Sequence, residues 1–168
     1  MSDEVTGIES VRAGERKSVR ASPRFSDFPI SRSHEFTGWS THESRITLFR
    51  STLIAARFWT QQYEWQAHRE HAIKAGLNPA TADAIAEGRR PAGMKDDEEI
   101  VYELLTETLH NKSVSDATYA RAVAKFGEAG VVDLVGVVGY YLMLAMIMNM
   151  ARTALPAGKS PQLAPFPY

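Results

Sequence analysis

The sequence predicts an all-α protein, and three observations carry that prediction. Apolar residues recur at gaps of three to six from about residue 46 onward, the spacing of one helix face. No stretch alternates apolar and polar residues as a half-buried strand does. Capping and breaking residues, Gly76, Asn78-Pro79, Gly88 and Ser115, punctuate the chain at helical intervals. With 168 residues the chain has the length of one domain, or of one domain plus a tail.

The elements follow in order. Residues 1–45 hold nine of the thirteen serines, seven basic and seven acidic residues. They show no helical or strand period, so they are expected to form a flexible or loosely docked arm. Its Phe25, Phe28, Phe36 and Trp39 are candidates to rest on a neighbouring surface. Residues 46–155 form the expected helical domain. Leu48, Leu53, Ala56, Trp59, Tyr63, Ala67 and Ile73 mark one long amphipathic helix, or two joined near Thr60. Gly76 suits a left-handed cap, and Asn78-Pro79 opens a short helix that ends at Gly88. Asp96 or Asp97 is expected to cap the next helix, whose stripe is Ile100, Leu104, Leu105 and Leu109. Ser115 caps a further helix, with Asp116 well placed in its first turn. A long apolar helix covers Val131–Met150. Residues 156–168 are proline-rich and should be extended.

Val131–Met150 is long enough to cross a bilayer. Asp133, Asn149, two internal glycines and the lack of flanking basic clusters argue instead for burial in a core or subunit interface. Gly136 and Gly139 leave room for another helix to come close.

Composition excludes several function classes. The chain has no cysteine, which removes disulfides, thiolate metal sites and thiol redox chemistry. Nineteen basic residues face twenty acidic ones, so no electrostatic attraction to nucleic acid or an anionic membrane is expected. The polar, acidic start MSDEVTGIES lacks the pattern of a signal peptide, and the expected location is cytoplasmic.

The chemistry-bearing segment is Gln61-Gln62-Tyr63-Glu64-Trp65-Gln66-Ala67-His68-Arg69-Glu70-His71. On a helix, Gln61, Glu64, His68 and His71 share one face. A carboxylate one turn before an imidazole can orient it and raise its pKa, which suits proton transfer near neutral pH. Trp65, Phe58 and Trp59 are near enough in sequence to wall off such a site. The same residues also admit a solvated helix face. Glu64, His68 and His71 admit a metal trio as well, but all three come from one helix with no distant partner, so no metal is expected. Tyr140-Tyr141 is a second candidate, because a tyrosine hydroxyl from the apolar helix can face His68.

These blocks, YEWQAHREHAIKAGL, then ADAIAEG, then VSDATYARAVAKFGEAGVVDLVGVVGYYLMLAMIMN, resemble the carboxymuconolactone decarboxylase-like family, which includes the AhpD-type alkylhydroperoxidases. The likeness runs from about residue 52 to residue 150 and rests on three blocks in order. It implies an all-α fold whose subunits assemble into trimers or hexamers, with a proton-relay site on the helix that carries the histidine. In AhpD-type members that helix opens with Cys-x-x-Cys followed four residues on by His. Gln61 and Glu64 stand at the cysteine positions and His68 at the histidine. The dithiol peroxidase reaction is therefore not expected. The family's upstream relay glutamate falls at Phe49.

Two functions are expected from this. One is cofactor-independent decarboxylation or related proton transfer on a small carboxylated lactone or oxo-acid. In it Glu64 and His68 are catalytic, and Gln61, Trp65, His71 and Tyr141 bind the substrate, with Arg57 or Arg69 available as a cation. The other is a non-catalytic helical homo-oligomer that binds a small ligand or a partner protein.

Overall fold

A computed structural model describes residues 42–165 of the chain. The expected arm lies outside them, except for its last few residues, which already belong to the first helix. Among the described residues all regular structure is helical, in the order α1 His42–Phe58, α2 Gln62–Lys74, α3 Pro79–Ala86, α4 Asp96–Asn111 and α5 Asp116–Met150.

The central element is α1, which packs against each of the other four helices. Its sequence explains how it can. Leu53, Ile54, Ala55 and Ala56 are buried, and so are Thr47, Ser51 and Thr52. Ser51 Oγ donates to the Thr47 carbonyl at 2.8 Å and Thr52 Oγ1 to the Leu48 carbonyl at 3.1 Å. Returning their hydroxyls to the helix's own backbone lets small polar residues sit inside the protein without orphaned donors.

The long helical stretch divides at Thr60, where φ is 49°. Gln61 restarts the helix. Its side chain accepts a hydrogen bond from the Glu64 N–H at 3.0 Å, an N-cap in the usual sense. Asn78 caps α3 by accepting from Ala80 N–H at 3.0 Å, and Pro79 occupies the first turn. The expected cap of α4 is corrected by one residue. Lys95 is the N-cap, and Glu98 reaches back to accept its N–H at 2.9 Å. Asp96, Asp97, Glu98 and Glu99 all lie in the first turn, where the helix dipole favours negative charge. Ser115 caps α5 as expected. The two helices expected between 116 and 150 are joined end to end, with a kink at Gly127, where φ is 73° and ψ is 166°. No side chain tolerates that backbone as readily as glycine.

The core is one cluster. It draws Leu53 and Ala56 from α1, Trp65 and Ala72 from α2, Ile85 from α3, Leu104 and Leu105 from α4, and Leu134 and Val138 from α5. The proline-rich end joins it through Leu163, which is 3% exposed. Residues of α2 one turn apart hold this extended tail in place. Gln62 Nε2 donates to the Leu163 carbonyl at 2.7 Å, while Gln62 Oε1 accepts from the N–H groups of Gln162 and Leu163 at 2.9 and 3.0 Å. Gln66 Nε2 donates to the Ser160 carbonyl at 2.6 Å, and Lys159 pairs with Glu70 at 3.1 Å. Each such bond contributes about 1 kcal/mol. Gln62→Ala is therefore expected to speed amide hydrogen exchange at Leu163 by at least about tenfold, with little change in the core helices. Unchanged exchange at Leu163 would show that Leu163 packing alone anchors the tail.

α5 does not sit wholly inside. Only 33% of its most apolar 18-residue window is buried. Val131, Leu134, Val138 and Ala145 point into the core, whereas Val132, Val135, Met143, Met146, Ile147 and Met150 are exposed. The expectation of a helix buried on all sides therefore holds for one face only within a single chain.

Candidate active site

The helix α2 presents Glu64 and His68 to the interior. Their exposures are 2% and 6%. Two other helices meet them there. From α5, Tyr141 brings its ring to 4.9 Å from the His68 ring, edge to face at 79°. From α1, Phe49 lies 6.3 Å from His68 and stacks at 15° on His71, centroids 6.1 Å apart. Thr52, also on α1, is hydrogen-bonded to the Tyr141 hydroxyl. The result is a polar cluster, Thr52, Glu64, His68 and Tyr141, roofed by Phe49.

The electrostatics of this cluster are those of charges kept away from water. Burial pushes the Glu64 carboxyl up to about 8. Neither of its oxygens has a hydrogen-bond partner among the described residues. Burial, helped by the neighbouring His71, pushes His68 down to about 4. Burial also raises the Tyr141 phenol to about 12, with the Thr52 hydrogen bond opposing and Glu64 adding to the rise. At neutral pH all three groups are uncharged. This corrects the expected electrostatics. Glu64 does not hold His68 as a cation, because without a hydrogen bond between them desolvation outweighs any attraction and both groups settle in their neutral forms.

The other candidates divide by position. Gln61 is buried, but both ends of its amide serve the fold. Oε1 caps α2, and Nε2 donates to Asn149 Oδ1 at 3.2 Å. Asn149 in turn donates to the Trp59 carbonyl at 2.8 Å, which ties the end of α5 to the corner between α1 and α2. Trp65 is fully buried in the core, and its indole N–H has no acceptor among the described residues. Trp59, expected to wall the site, is 39% exposed at that corner. His71 is exposed, at the outer edge of the cluster. No group of three metal-ligating side chains comes together among the described residues.

The two arginines considered as substrate cations have other engagements. Arg69 pairs with Asp83 on α3 at 2.7 Å. Arg57 donates to the Ala164 carbonyl at 2.7 Å and to Thr60 Oγ1 at 3.4 Å. It also lines a cavity of about 90 Å³ between α1, α3 and α4, together with Phe58, Ile85, Arg89, Tyr102 and His110. Glu64 and His68 do not line that cavity.

Thr52 escaped the sequence reading. Its only signal was a hydroxyl in the middle of an apolar run, and only packing shows that α5 delivers a phenol to it. Phe49, where the resemblance places the family's relay glutamate, stands beside the imidazole and brings it a ring in place of a carboxylate.

Comparisons of the chain with protein-family models, with curated proteins and with solved structures give no match.

Proposed function

We propose that Glu64, His68 and Tyr141 form a cofactor-independent proton-transfer site that acts on a small carboxylated lactone or oxo-acid. The observation that carries this reading is the Glu64 carboxyl, buried, without a hydrogen-bond partner among the described residues and raised to about 8. An acid held protonated at neutral pH is a proton donor in waiting, and a fold gains nothing from burying it unpaired. His68, neutral above about 4, is free of charge to accept a proton.

The chemistry balances without a metal or an oxidant. The bond to the substrate carboxylate breaks and carbon dioxide leaves. The electron pair of that bond delocalises into the carbonyl conjugated with it, directly in a 3-oxo-acid and through the ring double bond in a carboxylated unsaturated lactone, to give an enolate. Glu64 delivers its proton to the enolate carbon, and the carboxylate so formed is reprotonated from solvent by way of His68. The Tyr141 hydroxyl proton, which rests on Thr52 Oγ1 without substrate, turns to the enolate oxygen. The roles of Glu64 and His68 thus differ from those of an orienting carboxylate and its imidazolium.

The test is carbon dioxide release from 4-carboxymuconolactone and related lactone acids, followed alongside product NMR. His68→Ala and Glu64→Gln are expected to lower turnover by about 10²–10⁴-fold, with helical content unchanged. Full turnover by His68→Ala would refute the assignment. Titration of His68 by NMR gives a second check, since an imidazole pKa near 6.5 would place it in water.

A second reading, a non-catalytic homo-oligomeric helical module in which His68 and Tyr141 merely fill the core, draws on a separate observation. The outer face of α5 exposes Val132, Val135, Met143, Met146, Ile147 and Met150 within one chain. Assembly through this face is compatible with either function.

A further inference from the structure

The exposed face of α5 has an internal order that names its partner. Its residues are Val132, Val135, Gly136, Gly139, Met143, Met146, Ile147 and Met150. At about 100° per residue they fall within one stripe, opposite the core-facing Val131, Leu134, Val138, Tyr141 and Ala145. The amino-terminal half of the stripe is small and the carboxy-terminal half is large and flexible. Among the described residues, nothing outside the helix lies within 4 Å of where a side chain on Gly136 or Gly139 would project.

Pairing the stripe with itself in reverse brings these halves together. Val132 meets Met150, Val135 meets Ile147, Gly136 meets Met146, and Gly139 meets Met143. Every position finds its mate in one register, centred at the level of Tyr141. Each glycine receives a methionine, the side chain best suited to fill an irregular gap. A parallel pairing would set glycine on glycine and methionine on methionine. We propose that a second copy of this chain packs its α5 antiparallel on this one, about a two-fold axis passing near residue 141.

Three further points favour a copy of the chain over a bilayer. The opposite face of α5 is packed on protein, so lipid could reach only one side of the helix. Asp133 and Asn149 sit at the two ends of the stripe. The stripe runs from Val132 to Met150, about 27 Å along the helix, so one partner helix laid along it covers every exposed apolar side chain named above. A two-fold contact of this kind closes a dimer or joins trimers within a hexamer, and an isolated trimer lacks it. The inference rests on the assembly reading above and is independent of the catalytic one.

The axis passes at the level of the residue that meets His68. The partner's helix would therefore brace the outside of the turn whose inside carries Tyr141.

The chain's lack of cysteine makes the register readable. Three variants of the full chain are compared under mild oxidation, Gly136→Cys, Met146→Cys and the two together. The antiparallel register predicts efficient covalent dimer only from the double variant, because equivalent residues lie far apart along the pair. Sedimentation equilibrium of the unmodified chain is expected to show an even-numbered assembly. Val135→Glu is expected to weaken it by about a hundredfold or more while leaving helical content by circular dichroism unchanged. Cross-linking by either single variant would overturn the register and leave assembly standing. A monomer in sedimentation, or a chain that floats with phosphatidylcholine vesicles without self-association, would overturn both the pairing and the assembly reading.

Discussion

Glu64→Gln is expected to gain stability relative to the parent protein by about 5 kcal/mol as pH rises from 4.5 to 8. The sign follows from where the proton resides. Unfolded, Glu64 ionises near 4.5, whereas folded it keeps its proton up to about 8. Between those values the native state binds the extra proton, so raising pH favours unfolding. Above about 8 both states are ionised and the loss is complete. Glutamine has the same shape and no such proton, so the difference between the two proteins isolates this one group.

His68 works the other way. Folded, it stays neutral down to about 4, while unfolded it takes a proton near 6.5, so falling pH favours unfolding across that range. In the parent protein the two slopes cancel between 4.5 and 6.5, and a decline of about 2 kcal/mol remains from 6.5 to 8. In Glu64→Gln the alkaline decline disappears, and an acid decline of about 3 kcal/mol from 6.5 to 4 is unmasked. Urea unfolding at half-unit pH intervals measures both. A parent whose Glu64→Gln difference is flat with pH would show that Glu64 is hydrated in solution, and the proposed site would lose its proton donor.

The second large effect concerns Arg50, which is 1% exposed on α1. Its guanidinium is ion-paired with Glu98 on α4, and its Nε and Nη1 have no partner among the described residues. Burial lowers its pKa, with Glu98 and Asp97 opposing. Removing the charge of the partner strands a buried cation. Glu98→Gln is expected to destabilise the fold by about 3 kcal/mol, although it retains an acceptor for the Lys95 N–H. Arg50→Met in the same background is expected to recover most of that loss, because the stranded charge goes with it. A double-mutant cycle by denaturant unfolding reads the coupling. Additive losses would mean that water reaches the Arg50 guanidinium and the pair contributes little.

Assembly bears on the proposed site as well. α5 carries Tyr141 on one face and the exposed stripe on the other, so one helix links the interior cluster to the surface that a second copy would cover. Variation at Val135 or Ile147 therefore separates two effects. Loss of pairing with the His68–Tyr141 contact intact would leave an active protomer, whereas a loosened α5 would disturb Tyr141.

Much of this protein was legible in the chain alone, for local reasons. Helical spacing, the break near Thr60, the Asn78-Pro79 and Ser115 caps and the helix ends at Gly76 and Gly88 are decided by neighbours in sequence, through backbone preference and capping hydrogen bonds. The shared face of Glu64 and His68 follows from helical geometry in the same way. What tertiary packing decided is the state of those groups. A carboxylate beside an imidazole reads as an ion pair when water is assumed, and becomes two neutral groups once α1 and α5 exclude it, because desolvation acts through residues distant in sequence. Packing likewise made Gln61, a local cap of α2, a brace to Asn149 as well, and brought Thr52 and Phe49 to the cluster. It also divided an apolar helix into a buried and an open face, since only the neighbours of α5 determine which of its residues meet protein.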